Sequence, residues 1–520
     1  MTIELWHRPW ALVDMRRRHR QVLAPGAVVI DANCRAPLWL YSPQQHNAFD
    51  SAAGIGEPVE GFSPTNPGRS LLHLPLPLRR SQSLAVHVAG GIVKIGWPTG
   101  PERPPSTFEP QTEEELAAHQ LMLRAEAVWD RLNDVETALA DPARLWQELR
   151  RRWTEKDEDI PPRMDLIVRH AITLSRTLDE LDRAPRRILR RVHQQVPVSR
   201  VQELDRRAMT WLVRQPGDTL AERAGDRQRV LAVAREENFD TLENRVLRSY
   251  AELAWHVARD YLERNASRRH TSRASKVREF ERRCKRLARD LADRGVRLAE
   301  PGMTPNFVLQ QNPRYHAIWN AWQELRDRER VLDELWRWQA RSWEEFCALA
   351  VMVALVGVPG ARLISSAPVS FLDEQRRGSW IAHDNPLAVF HLPQQRIVVE
   401  VRYRMANPTA RLRDFAAPIW IRIGRVGDAE AFLENVAVWP VWDISGGAVD
   451  DEAEEVAQIL PLGRLAGALV LRPAIFGGSA VSREATKVLT ATIGTEGTAL
   501  SDGVAAVTRF LSSLITAEAG

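Results

Sequence analysis

The chain is poor in cysteine: its 520 residues hold three, Cys34, Cys284 and Cys347, with no C-x-x-C and no Cys/His spacing. Neither a disulfide framework nor a structural zinc site is supported. Long apolar runs are missing as well. The longest, 347-CALAVMVALVGVPG-360, is too short to span a bilayer and ends in Pro and Gly. The first residues, MTIELWHRPW, lack the basic-then-apolar layout of a secretory signal. A cytoplasmic chain without membrane contact is expected. There is no G-x-x-x-x-G-K-[ST], no strand-linked G-x-G-x-x-G, no G-x-S-x-G and no H-E-x-x-H. Any use of ATP therefore belongs to a partner.

What is present has a globular balance, 44% hydrophobic and 27% charged. The length predicts two to four domains. Eighteen tryptophans are many for this length and are expected as core or interface anchors. The Trp336, Trp338, Trp343 group and 319-WNAW-322 are expected to pin helices rather than stack on bases. The predicted fold class is multidomain α+β. Residues 1–105 carry short β-type runs (27-AVVID-31, 37-PLWLY-41, 84-LAVHVAGGIVKIGW-97) and form a β-rich N-terminal domain. A proline-rich linker, 98–113, leads into an α-helical, basic middle domain over 106–340. There apolar residues recur at three and four, as at Leu242, Val246, Leu247, Tyr250 and Leu253. Residues 341–520 alternate strands and helices, an α/β domain. Its strand candidates are 362–366, 387–390, 396–404, 418–425, 434–444 and 468–472, with helices near 451–460 and 503–515.

Positive charge is concentrated in the middle domain. Arg268, Arg269, Arg273, Lys276, Arg278, Arg282, Arg283, Lys285, Arg286 and Arg289 face only Glu279 and Glu281 across the same stretch. At helical spacing Arg278, Arg282, Cys284-Lys285 and Arg289 share one broad face. A second cluster is Arg183, Arg186, Arg187, Arg190 and Arg191. Such clusters track a phosphate backbone, or form a solvated face, or meet an acidic protein. His316 and His383 have no metal-spaced partners and are expected as packing or surface groups.

The segment 384-DNPLAVFHLPQQRIVVEVRYRM-405 reads as a hairpin whose second strand places Ile397, Val399, Val401 and Tyr403 on one face. Val398, Glu400, Arg402 and Arg404 take the other. An acid and a base at i and i+2 on the later strand is how metal-dependent nucleases hold Mg²⁺ and position water. It is equally a same-face ion pair.

Several pieces occur in a recognisable order: 238-NFDTLENRVLRSYAEL-253, the basic stretch, 306-NFVLQQNPRYHAIWNAWQEL-325, 342-SWEEFCALAVMVAL-355 and 386-PLAVFHLPQQRIVVEVRYR-404. Together they resemble the McrC-type proteins of prokaryotic restriction and defence loci, with a T-x-E-N-R-type motif (here Thr241, Glu243, Asn244, Arg245). The resemblance implies a C-terminal PD-(D/E)XK endonuclease-type domain and a separately encoded motor ATPase as partner. Carried over, the helix acid falls at Glu344 or Glu345, the strand acid at Glu400 and the usual lysine at Arg402. The first strand's aspartate register falls at Leu387, with Asp384 three residues earlier as the substitute ligand. Arginine stays charged and cannot act as a base. Three readings follow. The first is a degenerate nuclease fold that binds DNA or acts as a scaffold, in a complex that could be oligomeric. The second is an active Mg²⁺-dependent endonuclease, with Asp384 and Glu400 as metal ligands. The third is an interaction protein without nucleic-acid contact.

Overall fold

The computed structural model describes residues 109–138, 144–154, 165–300, 302–337, 339–366, 386–405, 415–427, 434–442, 449–474, 478–495 and 497–519, with shorter pieces before residue 108 and Leu412. The chain divides into two compact units, each discontinuous in sequence. One comprises Met1–Ile160, Arg264–Ser267 and Glu329–Gly520; the other comprises Pro161–Glu263 and Arg268–Arg328.

The first unit begins with short strands: β1 (Ile3–Trp6), β2 (Arg20–Leu23), β3 (Val28–Val29), β4 (Leu38–Ser42), β5 (Glu57–Pro58), β6 (Ser70–Leu74), β7 (Ser83–Val88) and β8 (Gly91–Gly96). They form a five-stranded sheet ordered β2-β1-β4-β6-β5 and a three-stranded sheet ordered β3-β8-β7, in keeping with the β-type runs of the sequence. Helices Glu113–Ala138 and Leu145–Thr154 follow.

The second unit is mainly helical, but it contains a ribbon that helical periodicity did not suggest. Strands β9 (Ile188–Pro197) and β10 (Arg229–Asn238) pair antiparallel over their full length. The core of this unit comes from helices Leu166–Thr173, Ser175–Arg183, Leu242–Arg264, Ser272–Asp293 and Pro313–Arg337. The basic helix Ser272–Asp293 starts because the Thr271 side chain accepts from the Ala274 N–H, capping an otherwise orphan donor. It buries Ala274, Val277, Phe280, Cys284, Leu287, Ala288 and Leu291, a stripe at three- and four-residue spacing. It ends at Gly295, whose φ of +76° suits glycine, with the Val296 N–H bonded back to the Leu291 carbonyl. Cys284 therefore faces the core, not the charged face expected for it.

The rest of the first unit centres on an eight-stranded mixed sheet: β11 (Arg362–Ser366), β12 (Pro386–Leu392), β13 (Ile397–Tyr403), β14 (Ile419–Arg425), β15 (Glu434–Pro440), β16 (Gly467–Pro473), β17 (Ser482–Ala485) and β18 (Val488–Ile493). The order is β11-β12-β13-β14-β15-β16-β18-β17. Pairing is antiparallel through β15, parallel for β15–β16 and β16–β18, and antiparallel again for β17–β18. The last two strands were not anticipated from the sequence.

Strand alternation gives this sheet two cores. Ile397, Val399, Val401 and Tyr403 join Phe390, Ile421, Val438 and Leu469 on the first face, with helices Gln339–Val356, Gly497–Ala519, Glu113–Ala138 and Leu145–Thr154 supplying the rest of that core. Trp343 is wholly buried there. It packs on Phe346 and Trp442 and donates to the Leu471 carbonyl, so this indole pins a helix to the sheet. On the second face Trp420, Trp439, Ala468 and Val470 pack with helix Val449–Gly463 and Trp10. No described helix is long and apolar enough to cross a membrane.

Candidate nucleic-acid interface and carboxylate strand

The expected hairpin is present, with β12 and β13 joined through Arg396 at φ +55°. Val389 and Arg422 lie directly opposite Glu400 on the neighbouring strands, so all three share the second face. Glu400 is buried and held by two arginines. Arg402 donates from Nε to Oε1 at 2.7 Å, with Nη2 2.6 Å from the same oxygen, and Arg422 donates from Nη1 to Oε2 at 3.1 Å. Arg422 is pushed down from its ordinary pKa, first by burial; Glu400 opposes that shift and Arg402, a like charge, adds to it. Sequence reasoning had paired Glu400 with Arg402 alone. A lone arginine among apolar residues in 418-PIWIRIGR-425 was the available signal, but only the strand register brings Arg422 to the carboxylate.

The helix carboxylates go elsewhere. Tyr403 lies on the first face, and Arg404 follows it there instead of continuing the alternation to the second face as expected. Its φ of +47° breaks the strand, and the Arg404 N–H bonds the Pro418 carbonyl. Arg404 Nη2 then donates to Glu344 Oε2 at 2.8 Å, and the Tyr403 hydroxyl lies 3.4 Å from the same oxygen. Glu345 is fully buried, 3.9 Å from Arg341 Nε. Glu344 is thus tied to the first face, whereas Glu400 belongs to the second.

Leu387 sits in a register shift between Pro386 and Ala388 and is buried in the first-face core. Asp384 and His383 lie outside the described residues. Mg²⁺ favours one or two carboxylates plus waters and phosphate oxygens. Across the second face the residues paired in line with Glu400 are Val389, Arg422 and Asn435. Both oxygens of Glu400 already accept from guanidinium groups. This donor set does not fit a divalent cation.

The T-L-E-N-R segment opens helix Leu242–Arg264 and is mostly buried. Thr241 Oγ1 accepts from the Asn244 N–H. Asn244, wholly buried, donates through Nδ2 to the Arg186 and Phe239 carbonyls at 2.7 and 2.8 Å. Its Oδ1 accepts from the Tyr315 hydroxyl at 2.9 Å, and that hydroxyl accepts from the Arg186 N–H at 3.0 Å. Glu243 Oε1 accepts from Arg186 Nη1 and from Asn306 Nδ2. Arg245 clamps Asp240 with two bonds of 2.7 and 2.6 Å, and Arg297 adds two more. Arg245 foremost, with Arg297 also contributing, holds the Asp240 carboxyl well below the usual range. The motif is a fastener joining five chain segments. His316 Nδ1 lies 3.2 Å from the Leu309 carbonyl, a packing role.

The basic residues sort into two groups. Arg186, Arg187 and Arg191 have acidic partners in Glu243, Glu237 and Glu203. Arg283 pairs with Asp179 and Glu279, and Arg286 stands 3.6 Å from Asp182. Lys285 and Arg289 lie over the Trp255 ring, at 4.6 and 6.0 Å from its centroid, and Arg278 donates to the Arg269 carbonyl. Arg268 and Arg273 are half-buried. Lys276, Arg282, Arg286 and Arg289 are exposed on the basic helix, with Arg269 exposed just before it and Arg190 exposed on β9. Among the described residues Lys276 and Arg282 have no acidic partner.

Residues 132–316 match the family described as "Domain of unknown function (DUF2357)", a stretch well short of half the chain. It contains the T-L-E-N-R fastener and the basic helix. No curated protein matches the chain. Among solved structures, a chain of the half-complex of Thermococcus gammatolerans McrB AAA+ hexamers with bound McrC is 11% identical. Its alignment covers 97% of this chain and 92% of that one, at a TM-score of 0.19. At that score the likeness carries no argument.

Proposed function

We propose that this chain is a non-catalytic DNA-binding subunit of a restriction or defence assembly, in which a nuclease-type sheet has exchanged its metal for an ion-pair network. The observation that carries the reading is the solvent face of the basic helix, where Lys276, Arg282, Arg286 and Arg289 are exposed. A duplex laid along it gains affinity by counterion release, without sequence readout. The closure of Glu400 by Arg402 and Arg422 supports the absence of metal-dependent cutting. The McrC-type order of sequence motifs supports membership of an assembly whose motor ATPase is another chain.

Fluorescence anisotropy of the full chain with a short duplex across a salt series tests this. Each phosphate contact contributes about 0.9 to the slope of log affinity against log salt. Replacing Arg282, Arg286 and Arg289 by Gln is expected to flatten the slope by about 2–3. No binding at low salt would leave a scaffold role. Cutting of plasmid DNA in Mg²⁺ or Mn²⁺ that disappears in Glu400→Ala would establish an active endonuclease and overturn the proposal.

A further inference from the structure

On the second face of the eight-stranded sheet, Glu400, Arg402 and Arg422 form a closed trio carrying two positive charges and one negative. Glu400 is nearly inaccessible, with 4% of its side chain exposed, whereas Arg402 and Arg422 keep 29% and 25%. The carboxylate lies beneath and the guanidinium groups reach solvent. Arg402 directs Nε and Nη2 inward onto one carboxylate oxygen. Its Nη1 has no partner among the described residues.

Asn435 lies directly opposite Arg422 on β15, on the same face. Its side-chain oxygen is buried without a hydrogen-bond donor. Amide oxygen and nitrogen are interchangeable by a flip of the group. Either orientation leaves a buried polar atom without a partner, and such atoms are uncommon in folded chains. Flipped, the amide presents an N–H beside Arg422. The row then carries guanidinium and amide donors over a net charge of +1, in a setting that already disfavours two adjacent guanidinium charges.

We propose that this trio, with Asn435, is a metal-free oxyanion site that takes one phosphate group. Glu400 is its positioning residue: it fixes both arginine forks and leaves their outer edges to the ligand. Planar, permanently charged forks suit phosphate oxygens, which a lysine would meet only as a point charge. The proposal deepens the DNA-binding reading but stands on other residues, since no atom of the basic helix takes part.

The test is calorimetric titration of the full chain with inorganic phosphate, repeated with a short thymidine oligonucleotide as competitor and with Mn²⁺ alone. Arg402→Gln is expected to weaken phosphate binding about tenfold or more, the loss of one charge-assisted hydrogen bond. Arg402→Lys should fall between. Glu400→Gln removes the competing anion and should hold or tighten phosphate affinity, the opposite of its effect at a metal site. Competition by the oligonucleotide assigns the bound phosphate to a strand; its absence assigns the site to free phosphate. Phosphate binding that is undetectable in the parent, or unchanged in Arg402→Gln, overturns the proposal. So does Mn²⁺ binding that vanishes in Glu400→Gln. If Glu400→Gln fails to fold, the two variants at part-exposed Arg402 still decide. The DNA salt slope of the basic-helix variants is read separately, so either idea can fail alone.

Discussion

Asn244→Ala is the sharpest probe of whether the T-L-E-N-R motif fastens the fold or serves chemistry. The residue is wholly buried and makes three side-chain hydrogen bonds, to the Arg186 and Phe239 carbonyls and from the Tyr315 hydroxyl. Each contributes about 0.5–1.5 kcal/mol net, and each buried partner left unsatisfied adds about 1–3 kcal/mol. Some of these partners recover, because the Tyr315 hydroxyl still accepts from the Arg186 N–H. The expected loss is about 3–5 kcal/mol, confined to the second unit. Two compact units make one global unfolding energy ill-defined. The assay is therefore hydrogen exchange of helix Leu242–Arg264 in a urea series, which reads the stability of that segment. Asn244→Asp should be at least as damaging at neutral pH, since it turns an oxygen toward two carbonyls. A double-mutant cycle with Tyr315→Phe should return a coupling of about 1 kcal/mol. A loss below about 1 kcal/mol, set against the magnitudes above, would refute the fastening argument. Intact stability together with abolished DNA binding or cutting would instead make Asn244 a functional residue.

Other expectations concern the carboxylates and the core. The Asp240 carboxyl is held down by Arg245 and Arg297, so its stabilisation is complete above the unfolded value near 3.8 and is lost as pH falls below it. Asp240→Asn should be less stable at neutral pH and flat across that acid window, read as urea midpoints against pH. Leu387→Asp, which restores the family's aspartate in sequence, should destabilise the first unit by about 3 kcal/mol or more, because the site is an apolar core. It should gain no Mg²⁺-dependent cutting in a plasmid assay. Arg404→Ala strands the buried Glu344 and should lower stability by about 3–5 kcal/mol. Tyr403→Phe removes only a 3.4 Å contact and should change stability by less than about 1 kcal/mol; equal effects in thermal melts would show that the helix carboxylate is not held by Arg404.

Local pattern was enough to find much of the C-terminal sheet. The strands from β11 to β16 and the helices over Val449–Gly463 and Gly497–Ala519 fall where alternation or three-and-four spacing placed them. The β9–β10 ribbon escaped, because 188-ILRRVHQQVP-197 carries adjacent arginines where a half-buried strand would alternate. Its burial explains this, since most of β9 is exposed and no core imposes a period of two. Helices Glu113–Ala138 and Leu145–Thr154 belong to the same compact unit as a sheet more than two hundred residues later. Periodicity reports which face of a helix is apolar, not which surface covers it.

The sequence by itself determined the chemical inventory: no phosphate loop, no cysteine or histidine cluster, an excess of arginine on one helix, and a strand with Glu400 and Arg402 two residues apart. It also determined the parity that sends Glu400 away from Val399 and Val401. Tertiary structure alone decided what the carboxylate meets. Antiparallel register sets Arg422 opposite it, the left-handed φ of Arg404 turns that side chain to Glu344, and the shift at Leu387 gives the aspartate position to the core. Alternation along one strand is a local property of the backbone. The identity of the cross-strand neighbour depends on which residues the turns and bulges bring into register, and that is written across the whole sheet.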